Sequence, residues 1–285
     1  MTHALTPDLC HAHDWSPIAA AASQSAIAAV LAGLVFSGVV VVLSVTTYTR
    51  ESAQALKLPF TAFFGLAVTS YLFAEMAGEQ TCRRADTTEA LAGGALGAFA
   101  VIMITSLTWL VVAYERHDNH VLEFLHALVY VACIFVVLLL STNSVNYLSI
   151  ELPGPHLVVD TLLYVAGGLS VAGGAIWIWR RPRRRFDPKT KKANHVSTTT
   201  DNAVNWCAWA ALAYLALTAL ATGVATGLHR QMWYPSPAPW AVYLAAASSL
   251  VLPLAVLALA IGGLARTETG PDHSPDHNAP LQPAP

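Results

Sequence analysis

Long unbroken apolar runs alternate with short polar stretches along this chain, and nowhere does a two-residue hydrophobic–polar alternation persist. Seven runs stand out: about Pro17 to Thr47, Leu58 to Gly78, Glu89 to Tyr114, Val121 to Asn146, Leu157 to Trp179, Ala203 to Leu228 and Trp240 to Leu264. Each is about 20 residues or longer, the length a helix needs to cross hydrocarbon. Backbone N–H and C=O groups must be satisfied within such a segment, so helices are predicted and a β-barrel is not. The expected fold class is all-α: a polytopic integral membrane protein with a seven-transmembrane-helix bundle.

Polar punctuation supports the count. Asp86-Thr-Thr-Glu89 reads as a capping box that opens the third helix. Pro153 and Pro155 separate the fourth and fifth spans, and Pro235, Pro237 and Pro239 separate the sixth and seventh. Pro253 falls inside the seventh span, where it removes a helix hydrogen bond and predicts a kink. The organisation expected is an outer segment over 1–16, a transmembrane domain over 17–266 containing a basic cytoplasmic loop at 180–202, and a disordered cytoplasmic tail over 267–285. The first span is long and no Lys or Arg precedes it, so it is read as a retained helix rather than a signal peptide.

Composition narrows the class further. Only 11% of the 285 residues are charged, against about 25% in soluble domains, and the mean hydropathy is +0.51. The net charge is −2 and the basic residues sit mostly in one loop, which argues against a nucleic-acid partner. That loop sets the orientation. With the N-terminus outside, twelve Lys and Arg lie inside (Arg50, Lys57, Arg116, Arg266 and the eight of 180–192), against Arg83, Arg84 and Arg230 outside. Cytoplasmic loops retain such residues, so the topology reads N-out/C-in. Tryptophans near the span ends fit interfacial belts: Trp15, Trp233 and Trp240 outside, and Trp109, Trp177, Trp179, Trp206 and Trp209 inside. The expected location is the cell membrane.

Ionisable groups inside a span are costly and therefore candidates for function. Glu75 lies inside the second span, four residues before Glu79, and the pair is expected on one helix face as a site for a proton or cation. The plainer reading has Glu75 reaching the interface or pairing with Arg83 or Arg84. Asn143 and Asn146 lie near the outer end of the fourth span, and Asp160 lies in the first turn of the fifth. With Glu151, His156 and His229 they gather toward the outer leaflet, suggesting an outward-facing polar cavity built from helices two, four and five. At the inner end, His120, Glu123 and His126 include the Glu-x-x-His spacing of di-metal bundles. The further carboxylates such a site requires are missing, and a solvated loop explains the cluster.

Cys10 and Cys82 both fall on the outer, oxidising side under this topology, so a disulfide between them is a candidate. Two free thiols, or Cys10 as a metal ligand, are the alternatives. His11, His13 and Asp14 follow Cys10 closely and could hold copper or zinc, against the plain reading of a polar tail. Cys133 and Cys207 lie within spans as packing residues.

Several functions are disfavoured by absence. All four lysines lie outside the spans, so no retinal Schiff base is expected. No span carries a His-x-x-x-His pair, no phosphate-binding glycine loop occurs, and Ser170 in Gly168-Leu-Ser170 has no base nearby. An enzyme is therefore the lowest-ranked reading, and its form would be a membrane-embedded metalloenzyme. The leading reading is a protein whose outer cavity binds or passes an ion or small solute. The alternative is a non-catalytic accessory or sensory subunit that docks another membrane subunit through its basic inner loop. Arg180, Arg181, Arg183, Arg184 and Arg185 begin that loop. At the least they contact anionic lipid headgroups of the bilayer, at about 1 kcal/mol per residue.

Overall fold

The computed structural model describes residues 16–45, 56–79, 81–114, 119–152, 161, 164, 168, 196–228 and 239–267. These residues are all-helical or in short turns, with no strand among them. The long helices are α1 (Pro17–Val45), α2 (Lys57–Ala77), α3 (Cys82–Tyr114), α4 (Asn119–Glu151), α5 (Val196–Gly227) and α6 (Pro239–Thr267). All six carry a segment long and apolar enough to cross a membrane. The chain is thus a multi-pass helical membrane protein. Of the run predicted over 157–179, only Thr161, Tyr164 and Gly168 are described, and all three are helical.

Packing is organised around α3, which touches each of the other five helices. Its apolar stretch is 61% buried, the largest share of any of the six. Around it the order is α1, α2, α5, α6, α4, each packed on the next, and no extensive interface joins α4 back to α1. Small residues let the neighbours approach closely. A Cβ on Gly65 of α2 would stand 2.1 Å from Cδ1 of Phe99, whose ring fills that space and is fully buried. A Cβ on Gly94 of α3 would stand 2.8 Å from the Ser249 carbonyl oxygen and 2.9 Å from the Tyr214 hydroxyl. That carbonyl lies four residues before Pro253, which has no N–H to offer it.

The helix directions follow from contacts near the ends. Glu151, at the end of α4, meets Arg83 at the start of α3. Gln24 of α1 meets Glu89 of α3, and Val242 of α6 packs with Ala90 and Tyr147. These define the Arg83 end of the bundle. At the opposite end, Lys57 Nζ at the start of α2 donates to Asn205 Oδ1 near the start of α5 at 3.0 Å. α4 therefore finishes at the Arg83 end, whereas α5 begins at the Lys57 end, so these two helices run parallel.

The third helix starts earlier than the capping box implies. It opens at Cys82, where the Ala85 N–H reaches the Thr81 carbonyl at 3.0 Å. Asp86 to Glu89 consequently lie inside the helix. Thr87 and Thr88 donate back to the carbonyls of Arg83 and Arg84, both at 2.9 Å, instead of capping N–H groups. The Trp pattern also divides. Trp206, Trp209 and Trp240 are well exposed, as belt residues would be, but Trp109 is buried in the α3–α5 packing.

Candidate functional site

Polar contacts between helices concentrate toward the Arg83 end. The turn joining α2 to α3 is tied by Glu79, whose Oε2 accepts from Arg84 Nε at 2.6 Å and whose Oε1 accepts from the Thr81 N–H at 3.2 Å. One turn into α4 from its end, the Tyr147 and Thr87 hydroxyls meet at 3.0 Å. Beside them Glu151 is fully buried, with Arg83 Nε 3.9 Å from its Oε2. A carboxylate carried out of water is stable only when its charge is matched, and Arg83 supplies that match.

A second arrangement lies deeper on α3, on its side between α1 and α4, which form no extensive interface with each other. Glu89 sits seven residues inside α3, about 10 Å from its start at 1.5 Å per residue. Its Oε1 accepts from Gln24 Nε2 of α1 at 3.3 Å. The Gln24 carbonyl oxygen, Oε1, is buried with no hydrogen-bond partner. One turn along α3, the amide of Asn143 from α4 stands over Gly93, its nitrogen 3.5 Å from where a Cβ would be. Just below Gln24, Ser25 and Ser70 bind each other's backbone reciprocally, Ser25 Oγ to the Ser70 carbonyl at 2.9 Å and Ser70 Oγ to the Ser25 carbonyl at 3.0 Å. That exchange fixes the approach of α1 to α2 and hence the position of Gln24. Carboxylate and amide side chains from three helices thus lie along this side of α3.

The residues singled out from sequence distribute differently from the expected cavity. Glu75 is exposed on α2 and accepts a hydrogen bond from the Tyr71 hydroxyl on the same helix. α2 ends at Ala77, so Glu79 leaves the helix and turns to Arg84 instead of joining Glu75. Asn143 is half-buried beside Gly93, while Asn146 is exposed. α2 and α4 flank α3 and form no extensive interface with each other, so Glu75 and the two asparagines are not brought together. Asp160, Cys10, His11, His13, Asp14 and Arg180, Arg181, Arg183, Arg184 and Arg185 lie outside the described residues, as does the side chain of Glu123. Cys82 is disulfide-bonded, and Cys133 and Cys207 are free thiols buried in the bundle. Among the described residues no group of three His, Cys, Asp or Glu is placed to hold a metal.

Sequence reasoning passed over Gln24 and Glu89. Glu89 had been assigned to the start of the third helix, where a capping role accounts for a carboxylate. The available signal was Gln24 itself, an amide inside an otherwise apolar first span. Comparison with protein-family models, with curated proteins and with solved structures finds no match for this chain.

Proposed function

We propose that this protein crosses the cell membrane seven times, N-terminus outside, and binds a small cation or cationic solute in its outer half. The seventh crossing is supported by helix direction. α4 ends at the Arg83 end and α5 starts at the Lys57 end, with 44 residues between them that include the apolar run 157–179. At about 1.5 Å per residue that run spans about 35 Å, enough to cross about 30 Å of hydrocarbon.

Three features favour the Arg83 end as the outer one. Lys57 and the basic run at 180–192 belong to the other end, where α5 begins. Trp206 and Trp209 are exposed near it. The half-cystine Cys82 opens α3 at the Arg83 end, and disulfides persist on the oxidising side of a membrane. Its partner in this reading is Cys10, which removes thiolate from any copper or zinc site and leaves only His11, His13 and Asp14. The basic run then faces anionic lipid on the cytoplasmic side.

The cationic class follows from charge. Glu75, Glu79, Asp86, Glu89 and Glu151 stand at the outer end against Arg83, Arg84 and, in this topology, Arg230, and an excess of one sign concentrates the opposite ion. The observation that carries the site is the Gln24 carbonyl oxygen, buried without a partner beside the Glu89 carboxylate. The Glu89 carboxylate and the Gln24 carbonyl are oxygen ligands of the kind hard cations take. Binding is favoured over passage. Inward from Glu89 this side of α3 continues as Leu96, Ala100, Ile104 and Leu107, with no charged group among them.

Equilibrium dialysis of the purified protein against radioactive sodium and calcium tests the reading. Saturable binding of one of them is expected, weakened by about tenfold or more in Glu89→Gln, since a charged contact contributes about 1.5–3 kcal/mol. Glu75→Gln should bind as the parent does. No saturable binding of either ion, or equal binding by Glu89→Gln, overturns it.

A further inference from the structure

We infer that the seam between α2 and α5 at the Lys57 end is a docking site for an anionic phospholipid, with its phosphate on Lys57 and its chains against the aromatic residues beside it. α2 and α5 pack on each other, and the apolar segments of both begin at this level, at Lys57 and Val204. The Lys57 ammonium therefore stands where hydrocarbon gives way to headgroups. Its Nζ donates to Asn205 Oδ1 across the seam at 3.0 Å, which fixes it between the two helices. An ammonium has three N–H donors and an amide oxygen carries no net charge, so the positive charge and further donors are left to be matched. No acidic side chain among the described residues pairs with Lys57.

The neighbouring residues are sorted by depth as the parts of a phospholipid are. Leu58, Val204, Cys207 and Ala208 turn inward and are buried, which leaves Lys57, Trp206 and Trp209 on the outer surface. The two indoles are 70% and 63% exposed, and Trp209 lies one turn from Asn205 on the same face of α5. Indole rings favour the headgroup boundary. Deeper on α2, Phe60 and Phe64 are exposed, about 5 and 10 Å beyond Lys57 at 1.5 Å per residue. Cation, indoles and phenyl rings thus follow one another as phosphate, glycerol ester and acyl chain do in the lipid. A basic group held between crossing helices selects an anionic headgroup, whereas a choline headgroup neutralises its own phosphate. The site draws neither on the basic run at 180–192 nor on the proposed cation site at Glu89, and it holds whichever face of the membrane this end adjoins.

Fluorescence quenching tests this in phosphatidylcholine vesicles, with about one lipid in ten brominated on its chains. The signal is the part of the emission that disappears in a variant carrying both Trp206→Phe and Trp209→Phe. Brominated phosphatidylglycerol should be enriched at these indoles about fivefold over brominated phosphatidylcholine, the factor equivalent to about 1 kcal/mol for one Lys near a lipid surface. Lys57→Gln should lose most of that preference and Lys57→Arg should keep it. Both replace an exposed side chain and should leave the helical circular dichroism unchanged. Added inorganic phosphate should not displace the lipid. No preference in the parent, a preference unchanged in Lys57→Gln, or its loss in Lys57→Arg as well would overturn the docking. So would displacement by phosphate, which makes a free anion the ligand, or quenching by neither lipid, which means that another protein chain covers the seam.

Discussion

Gly65→Ala is the smallest change that should disturb the whole bundle. The new methyl carbon would stand 2.1, 2.3 and 2.3 Å from Cδ1, Cε1 and Cγ of Phe99, where ordinary contact begins at 3.4 Å. The ring must therefore retreat by more than 1 Å, the difference between 2.1 and 3.4 Å. It has nowhere easy to go. Phe99 is fully buried on the central helix and stacks on Tyr214 with centroids 6.3 Å apart, so its displacement presses α5 as well. Overpacking of this kind costs about 1–3 kcal/mol, and the depth of the overlap places Gly65→Ala toward the upper figure. Reversible unfolding in mixed micelles, followed by circular dichroism, should show the loss. Phe99→Leu alone should also destabilise, by creating a void. The double variant should be less destabilised than the two single losses added together, because the smaller side chain vacates the volume the methyl needs. A Gly65→Ala protein as stable as the parent, or strictly additive losses, would refute the packing argument.

Arg83→Met should destabilise more than Glu151→Gln in the same assay, because it removes the guanidinium 3.9 Å from a fully buried carboxylate, and breaking a buried pair costs about 3–5 kcal/mol. Equal effects would mean the pair contributes through shape alone. Intact-mass measurement of the denatured, unreduced protein should find one disulfide, lost in Cys10→Ser as well as in Cys82→Ser; its persistence in Cys10→Ser would assign a different partner to Cys82. Serine pairs offer a further check. Ser25→Ala together with Ser70→Ala should loosen α1 from α2 and weaken cation binding through Gln24, whereas Ser37→Ala, whose hydroxyl only reaches the Gly33 carbonyl of its own helix at 2.8 Å, should do neither.

The helices were legible because crossing hydrocarbon imposes a single solution on the backbone, so run length alone located six of them within a few residues, except where α3, α4 and α5 extend beyond their apolar runs. The start of α3 was misplaced because Arg83 and Arg84 break the apolar run, while the helix continues through them with Glu79 and Glu151 matching their charge. The polar residues were harder to sort. Thr61, Thr69, Ser141 and Thr142 each donate to a carbonyl one turn back and need no other helix. Ser25, Gln24 and Thr87 look the same in sequence but bridge to another helix. The distinction depends on which helix lies alongside, and periodicity within one span carries no information on that. Glu75 illustrates the point: its place within a span says nothing of its direction, and on α2 it lies exposed and accepts from the Tyr71 hydroxyl.

The position of Glu89 on α3 joins the fold to the function. A carboxylate two turns inside a crossing helix is tolerable only where other oxygens, donors or a cation share the space. Gln24 meets half of that need through its amide nitrogen and creates the other half, since its own carbonyl oxygen is then buried without a donor. The Glu89 carboxylate and that orphaned Gln24 oxygen stand side by side, and the proposed cation would answer the second of them. The exchange between Ser25 and Ser70 explains why the helix cannot simply rotate to release that oxygen: turning α1 would break both of its bonds to α2. The Arg83 half of the bundle is therefore held by the same contacts that bury the Gln24 oxygen, and under the proposed binding a cation should raise the unfolding temperature of the parent protein but not of Glu89→Gln.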